Sequence, residues 1–237
     1  MDRGPLSDPK VVERITRARA VRLRVFVDEH PDLCRRARVP DPGLRDERGI
    51  APYPSLQIWT PSGVLVDRTD GVVPPRRFLT WLEAGFGAWP EVARREAELL
   101  ARVEAEPGAP RPLEALAGFY ERRRSYPLAA GTWARLARGA DPAGEPRHDA
   151  HLRAAHAFLK HAGYAEADAH LALAAEEGAS TREAALYLLG FSAQQAGDAP
   201  RARRHYEALL EAFPESRFAP AAREALGAGG ATGRRYF

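Results

Sequence analysis

Hydrophobic and polar positions alternate along the first third of the chain, and the period changes after it. In VRLRVFVD, residues 21–28, Val21, Leu23, Val25 and Val27 share one side, the period of a strand. SLQIW (55–59) and VLVDRTD (64–70) are two further strand candidates, joined by TPSG, whose Pro61 and Gly63 are turn residues. Ahead of the first strand, SDPKVVERITRA predicts a helix that Ser7 or Asp8 can cap, with Pro9 suited to its first turn. After the hairpin, PPRRFLTWLEAGF predicts an amphipathic helix with Phe78, Trp81 and Leu82 on one face. Residues 1–87 therefore run helix, strand, loop, hairpin, helix.

From about residue 90 the pattern is that of short helices broken by Gly and Pro, rich in Ala and Leu and nearly free of β-branched residues. The shift places a domain boundary near Gly87–Pro90. PEVARREAELLARVEAE leads in as a linker helix (88–109), helices fill 110–227, and 228–237 is expected to be a flexible tail.

The helical part repeats itself. Counting from residue 182, Leu186, Leu189, Gly190, Gly197, Ala202, Tyr206 and Pro214 stand at offsets 4, 7, 8, 15, 20, 24 and 32. Counting from residue 109, Leu113, Leu116, Ala117, Tyr120, Ala129, Trp133 and Leu136 stand at 4, 7, 8, 11, 20, 24 and 27. Small residues at 8 and 20 let two helices approach, a large one at 24 fills the gap, and a proline ends the second helix. The pattern resembles the tetratricopeptide repeat (TPR), whose period is about 34 residues. Residues 149–178 form a degenerate copy in which Leu152, Leu159 and Gly163 fit but Ala167 comes one residue early. About three helix pairs are expected, closed by a capping helix over RFAPAAREALG.

The first part carries a second resemblance. A helix, a strand ending in acid (VFVDE), a loop with PDLCRRARV, the stretch GIAPYPSLQIWTPSG, a second strand, Gly71 and an amphipathic helix follow the order of the later two-thirds of a thioredoxin-fold domain. GIAPYPSLQIWTPSG resembles that family's cis-proline signature, with Ser55 in place of the usual Thr. The resemblance implies an α/β thioredoxin-like domain, partial, of about three strands with flanking helices. It places Tyr53, Pro54 and Ser55 in a loop that binds peptide. The family's Cys-x-x-Cys is missing, and Cys34, the only cysteine, lies elsewhere. No catalytic residue is assigned, and the chain as given is expected to be redox-inactive. Relatives carry a methionine just after that pair, so Met1, the only methionine, resembles an internal residue of a longer thiol-disulfide oxidoreductase whose cysteines precede a misassigned start. A strand at 21–28 without its central neighbour exposes an edge through which two copies could pair.

Composition narrows the rest. The net charge is +3, from 35 basic and 32 acidic residues; only Lys10 and Lys160 are lysines, and the signs are well mixed. That suits a bacterial protein of a GC-rich genome better than a nucleic-acid binder, which would concentrate its charge. No apolar run is long enough to span a membrane and no signal-peptide stretch opens the chain, so the chain as given is expected in the cytoplasm. Histidines 148, 151, 156 and 161 drift around a helix without a carboxylate at zinc-ligand spacing, and no phosphate loop or nucleophile elbow occurs, so neither metal nor cofactor is expected. The remaining chemistry is a groove along the first helices of the pairs: Arg153, Lys160 and His161 in the middle pair, Tyr187, Phe191, Gln194 and Gln195 in the last. That mixture suits a protein or peptide partner with an acidic end and some apolar character. The function expected is a protein–protein interaction module.

Overall fold

The structure, a computed structural model, describes residues 8–18, 55–70, 73–139, 145–176 and 180–227. Compact packing divides the chain into two units, Met1–Glu98 with Arg123–Ser125, and Leu99–Arg122 with Tyr126–Phe237.

In the first unit, helix α1 spans Pro9–Arg17 and buries Val11 and Ile15. Asp8 caps it, its carboxylate accepting from the Lys10 amide at 2.8 Å, with Pro9 in the first turn. Strands β1 (Ser55–Trp59) and β2 (Leu65–Asp70) form an antiparallel hairpin. Its turn closes by a Gly63 amide donating to the Thr60 carbonyl at 3.0 Å, and Gly63 has φ 90°, a left-handed value that favours glycine. The register pairs Ile58 with Asp67 and Trp59 with Leu65, leaving Val66 as a bulge. Two backbone groups of β2 there are occupied by side chains: the Leu65 amide donates to Ser125 Oγ at 2.9 Å, and Arg123 Nη2 donates to the Val66 carbonyl at 2.7 Å. Ser125→Ala leaves the buried Leu65 amide unbonded and is expected to cost about 1–3 kcal/mol in urea unfolding; an unchanged midpoint would show that the hydroxyl is dispensable.

The thioredoxin-like expectation is corrected here. Helix makes up 75% of the described residues, and the only sheet among them is this two-stranded hairpin, not an α/β domain of about three strands. The third strand expected from alternation, 21–28, lies outside the described residues, as do Tyr53, Pro54, Cys34 and Met1. At the β2 bulge, Arg123 and Ser125 take backbone groups that a neighbouring strand could have used.

Helix α2 spans Pro75–Ala105 without a break, although Gly87 and Pro90 signal one. Its inward stripe explains this. Phe78, Leu82, Gly85, Trp89, Val92, Glu96, Leu99 and Val103 follow one another by alternating steps of four and three, all buried except half-buried Trp89. The stripe stays in phase across residue 90, so continuous burial outweighs the hydrogen bond and clash a proline costs. A Cβ at Gly85 would lie 2.3 Å from Ile58 Cδ1, so the missing side chain is what lets the helix close on the hairpin. Glu96, the one acidic residue in the stripe, accepts from Ser62 Oγ at 2.6 Å.

The second unit holds helices α3 (Pro110–Arg122), α4 (Tyr126–Gly139), α5 (Glu145–Lys160), α6 (Tyr164–Ala174), α7 (Arg182–Gln195), α8 (Ala199–Ala212) and α9 (Ala219–Gly227). Each packs on the next, and α5 also meets α7. The short turns within α3–α4, α5–α6 and α7–α8 make each pair an antiparallel hairpin. A residue with positive φ sits in each of these turns: Arg124 at 53°, Ala162 at 63° and Gly197 at 81°. In the second and third turns an amide reaches back five residues, Gly163 to the Phe158 carbonyl and Asp198 to the Ala193 carbonyl, both at 2.9 Å, as in the Schellman helix ending.

Aligned on those three residues, the pairs superpose position by position in sequence. Leu113, His151 and Leu186 are equivalent, as are Leu116, Ala154 and Leu189, then Ala117, Ala155 and Gly190. On the second helices Ala129, Ala167 and Ala202 match, then Trp133, Leu171 and Tyr206, then Leu136, Ala174 and Leu209. All eighteen are buried. The middle pair thus obeys the same pattern once its whole copy is moved by one residue, the displacement Ala167 already signalled.

Among the described residues, no helix is long and apolar enough to cross a membrane.

Candidate functional site

Of the residues the sequence assigns to a peptide-binding loop, Tyr53 and Pro54 lie outside the described residues, and Ser55 opens β1 opposite Asp70. The groove residues are all described. Arg153 is exposed; its guanidinium lies 4.9 Å from the Trp133 ring centroid and its Nε donates to Asp149 at 2.7 Å. Lys160 is half-buried at the end of α5, and His161 follows it in the turn, its ring 5.5 Å from that of Phe158. Tyr187 belongs to the core at 6% exposure, stacked on Phe218 at 4.9 Å and tilted against Tyr206 at 5.9 Å. Phe191 and Gln195 are partly exposed. Gln194 is committed inward, accepting from the Tyr206 hydroxyl at 3.0 Å. Burial, and then Tyr187, raise the Tyr206 pKa, so that phenol stays protonated and keeps donating.

The Gln194 bond has a counterpart. In the first pair Trp133 Nε1 donates to Glu121 Oε1 at 2.8 Å, and Glu121 is equivalent to Gln194 as Trp133 is to Tyr206. In the middle pair both partners are apolar, Leu159 and Leu171. Either a bonded polar pair or an apolar pair satisfies the site; a lone polar member would not.

With the middle pair shifted by one, the outward positions of the first helices also correspond. Gly118, His156 and Phe191 are equivalent, and one turn later so are Arg122, Lys160 and Gln195. A Cβ on Gly118 would lie 3.3 Å from Arg122 Nη1, so the Arg122 side chain lies back over that glycine. This face carries two cations at one repeated position, with an amide at the third and an aromatic ring one turn before it. It has hydrogen-bond donors and stacking surface but no nucleophile–base pair.

Behind it lies a group that spacing along one helix cannot reveal. His151 of α5 and His170 of α6 meet with Nδ1 atoms 2.8 Å apart and ring centroids 5.0 Å apart. The Phe158 ring stacks on His170 at 5.6 Å and 19°. His148 Nε2 is 3.2 Å from Glu176 Oε2. Burial first, then His170 and Arg147, push the His151 pKa down to about 4; burial and Arg138 lower His170. His151 Nε2 and His148 Nδ1 are buried without a hydrogen-bond partner among the described residues. His170 stands on another helix, so the spacing of His148, His151, His156 and His161 along the sequence misses the pairing. Among the described residues, no three His, Cys, Asp or Glu side chains gather so as to hold a metal ion. No protein-family model, curated protein or solved structure matches the chain.

Proposed function

We propose that this chain is a polypeptide-binding module of the tetratricopeptide type, which takes an extended partner segment with an acidic end along the first helices of its three pairs. The observation that carries the reading is the repetition of Arg122, Lys160 and Gln195 at one outward position, with Gly118, His156 and Phe191 one turn before. Cations and an amide at a fixed interval suit a row of carboxylate and carbonyl oxygens. A glycine, an imidazole and a phenyl ring leave room for side chains between them. The ordered backbone beneath, held by the buried Ala, Gly and aromatic positions, presents this face with little loss of freedom on binding.

The test is fluorescence anisotropy with two labelled dodecapeptide libraries, one ending in Asp-Glu and one in Lys-Arg. The acid-ended library is expected to bind, and Arg122→Gln combined with Lys160→Gln to weaken it at least tenfold. Because charged contacts are screened, affinity should also fall from 50 to 500 mM salt. Equal binding of the two libraries, or indifference to the double substitution, contradicts the reading.

A further inference from the structure

His151 stands where the first and third pairs bury Leu113 and Leu186. A leucine there would be silent to pH. The histidine is as deeply placed, 3% exposed, and it reaches across the hairpin to the other ring. At 2.8 Å one Nδ1 must carry the proton and the other must offer its lone pair. We propose that the His151–His170 contact is a proton-operated clasp, which holds α5 against α6 while at least one ring is neutral and opens that helix pair when acid charges both. This inference stands without the peptide-binding reading.

The first proton goes to His170, the half-buried ring, and leaves one hydrogen still shared between the rings. The second must enter His151 at Nδ1, the buried nitrogen that accepts the shared hydrogen, and then two N–H groups face each other. The pair titrates as a unit, in two steps. Its charged surroundings oppose the second step. On α5 itself stand Arg147 and His148; on α4, Arg138 faces His170; beyond α6, Glu176 is the one acid that acts on His151, and it already contacts His148. From α7, which packs on both helices, the charged side chains of the first turn are Arg182 and Glu183, the latter accepting from Ser216. Across α5, Arg153 and Asp149 satisfy each other.

The sign follows from linkage. In the unfolded chain both imidazoles take protons near pH 6.5, whereas folded His151 resists to about pH 4. Between these values the open state binds more protons. The pair is therefore stable above about pH 6.5 and loses stability as pH falls toward 4. A shift of that size favours opening on the order of a hundredfold.

Amide hydrogen exchange from pH 7 to 4.5, corrected for the intrinsic rate, measures it. Protection of α5 and α6 is expected to fall at least tenfold across that range in the wild type. In His151→Leu, which installs the side chain of the two sister pairs, it is expected to stay level. A second readout needs no variant: NMR titration of the ring protons should show His151 and His170 as a coupled pair, one of them uncharged well below pH 6. Two independent steps near pH 6.5, or a His151→Leu protein whose protection falls in parallel with the wild type, overturns the proposal.

Discussion

Gly190→Ala is expected to destabilise the protein, although alanine is the better helix former. Propensity alone favours alanine by about 1 kcal/mol in a helix interior. Packing decides against it. A Cβ at residue 190 would lie 2.5 Å from Tyr206 Cε1, 2.6 Å from Cδ1 and 2.9 Å from Cζ. The ring cannot swing away cheaply, because its hydroxyl is bonded to Gln194, Tyr187 lies against it, and it is 3% exposed. Overpacking of this kind costs about 1–3 kcal/mol, occasionally more, and outweighs the gain in propensity. Bulkier Gly190→Val is expected to break the α7–α8 pair. The middle pair suggests the repair: there Ala155 stands opposite Leu171. Gly190→Ala combined with Tyr206→Leu and Gln194→Leu copies that solution, Leu159 included, and should recover much of the loss. Urea unfolding of the three proteins checks it; a Gly190→Ala chain more stable than the wild type would mean that the ring yields and the contact decides nothing.

Trp133→Ala should be more costly still. The indole is 4% exposed, and removing it empties a buried volume between α3 and α4. Loss of a buried aromatic of this size costs about 3–5 kcal/mol. Two further effects add to the cavity. Glu121 loses the N–H that bonds it at 2.8 Å, and the Arg153 guanidinium loses the ring 4.9 Å beneath it. Trp133→Phe separates these contributions. It keeps most of the volume but not the bond to Glu121, so it should cost clearly less than alanine; Glu121→Leu in the Trp133→Phe background then makes the site apolar, as Leu159 and Leu171 do, and should regain stability. If the two substitutions of Trp133 cost the same, the hydrogen bond rather than the volume holds the pair. All three variants are measured by thermal unfolding, where about 1 kcal/mol shifts the midpoint by roughly 2–4 °C in a chain of this length.

Both predictions rest on positions that the spacing of residues already exposes. Leu113, Ala117, Ala129, Trp133, Gly190, Ala202 and Tyr206 fall on a fixed interval and all prove to be buried. The Asp8–Pro9 helix start and the TPSG turn were legible for the same reason: each depends on two or three adjacent residues and on short-range hydrogen bonds. The middle pair was harder because tertiary contacts replaced the local signals. Its turn uses Ala162 where the third pair has glycine, and its first core position is a histidine where the others have leucine. The partner that makes the histidine acceptable, His170, is on another helix. The break expected near Gly87–Pro90 misled for a related reason: local breakers lose to a long inward stripe that keeps its phase. Of the groove residues that spacing offers, Lys160, Phe191 and Gln195 are partly exposed, whereas Tyr187 is buried in the core and Gln194 is bonded to Tyr206. Arg122 opens the run Arg122–Arg124, which by sequence reads as solvated surface at a helix end. The expected α/β domain had the least support, since alternation over eight residues cannot supply the neighbouring strand that such a sheet requires.

The most direct test of the account is an NMR titration of the isotope-labelled protein with an acid-ended dodecapeptide. Shift changes are expected to gather on α3, α5 and α7, around Arg122, His156, Lys160, Phe191 and Gln195, and to leave α4, α6 and α8 nearly still. Changes centred on the second helices, or none at peptide concentrations in the millimolar range, would contradict it.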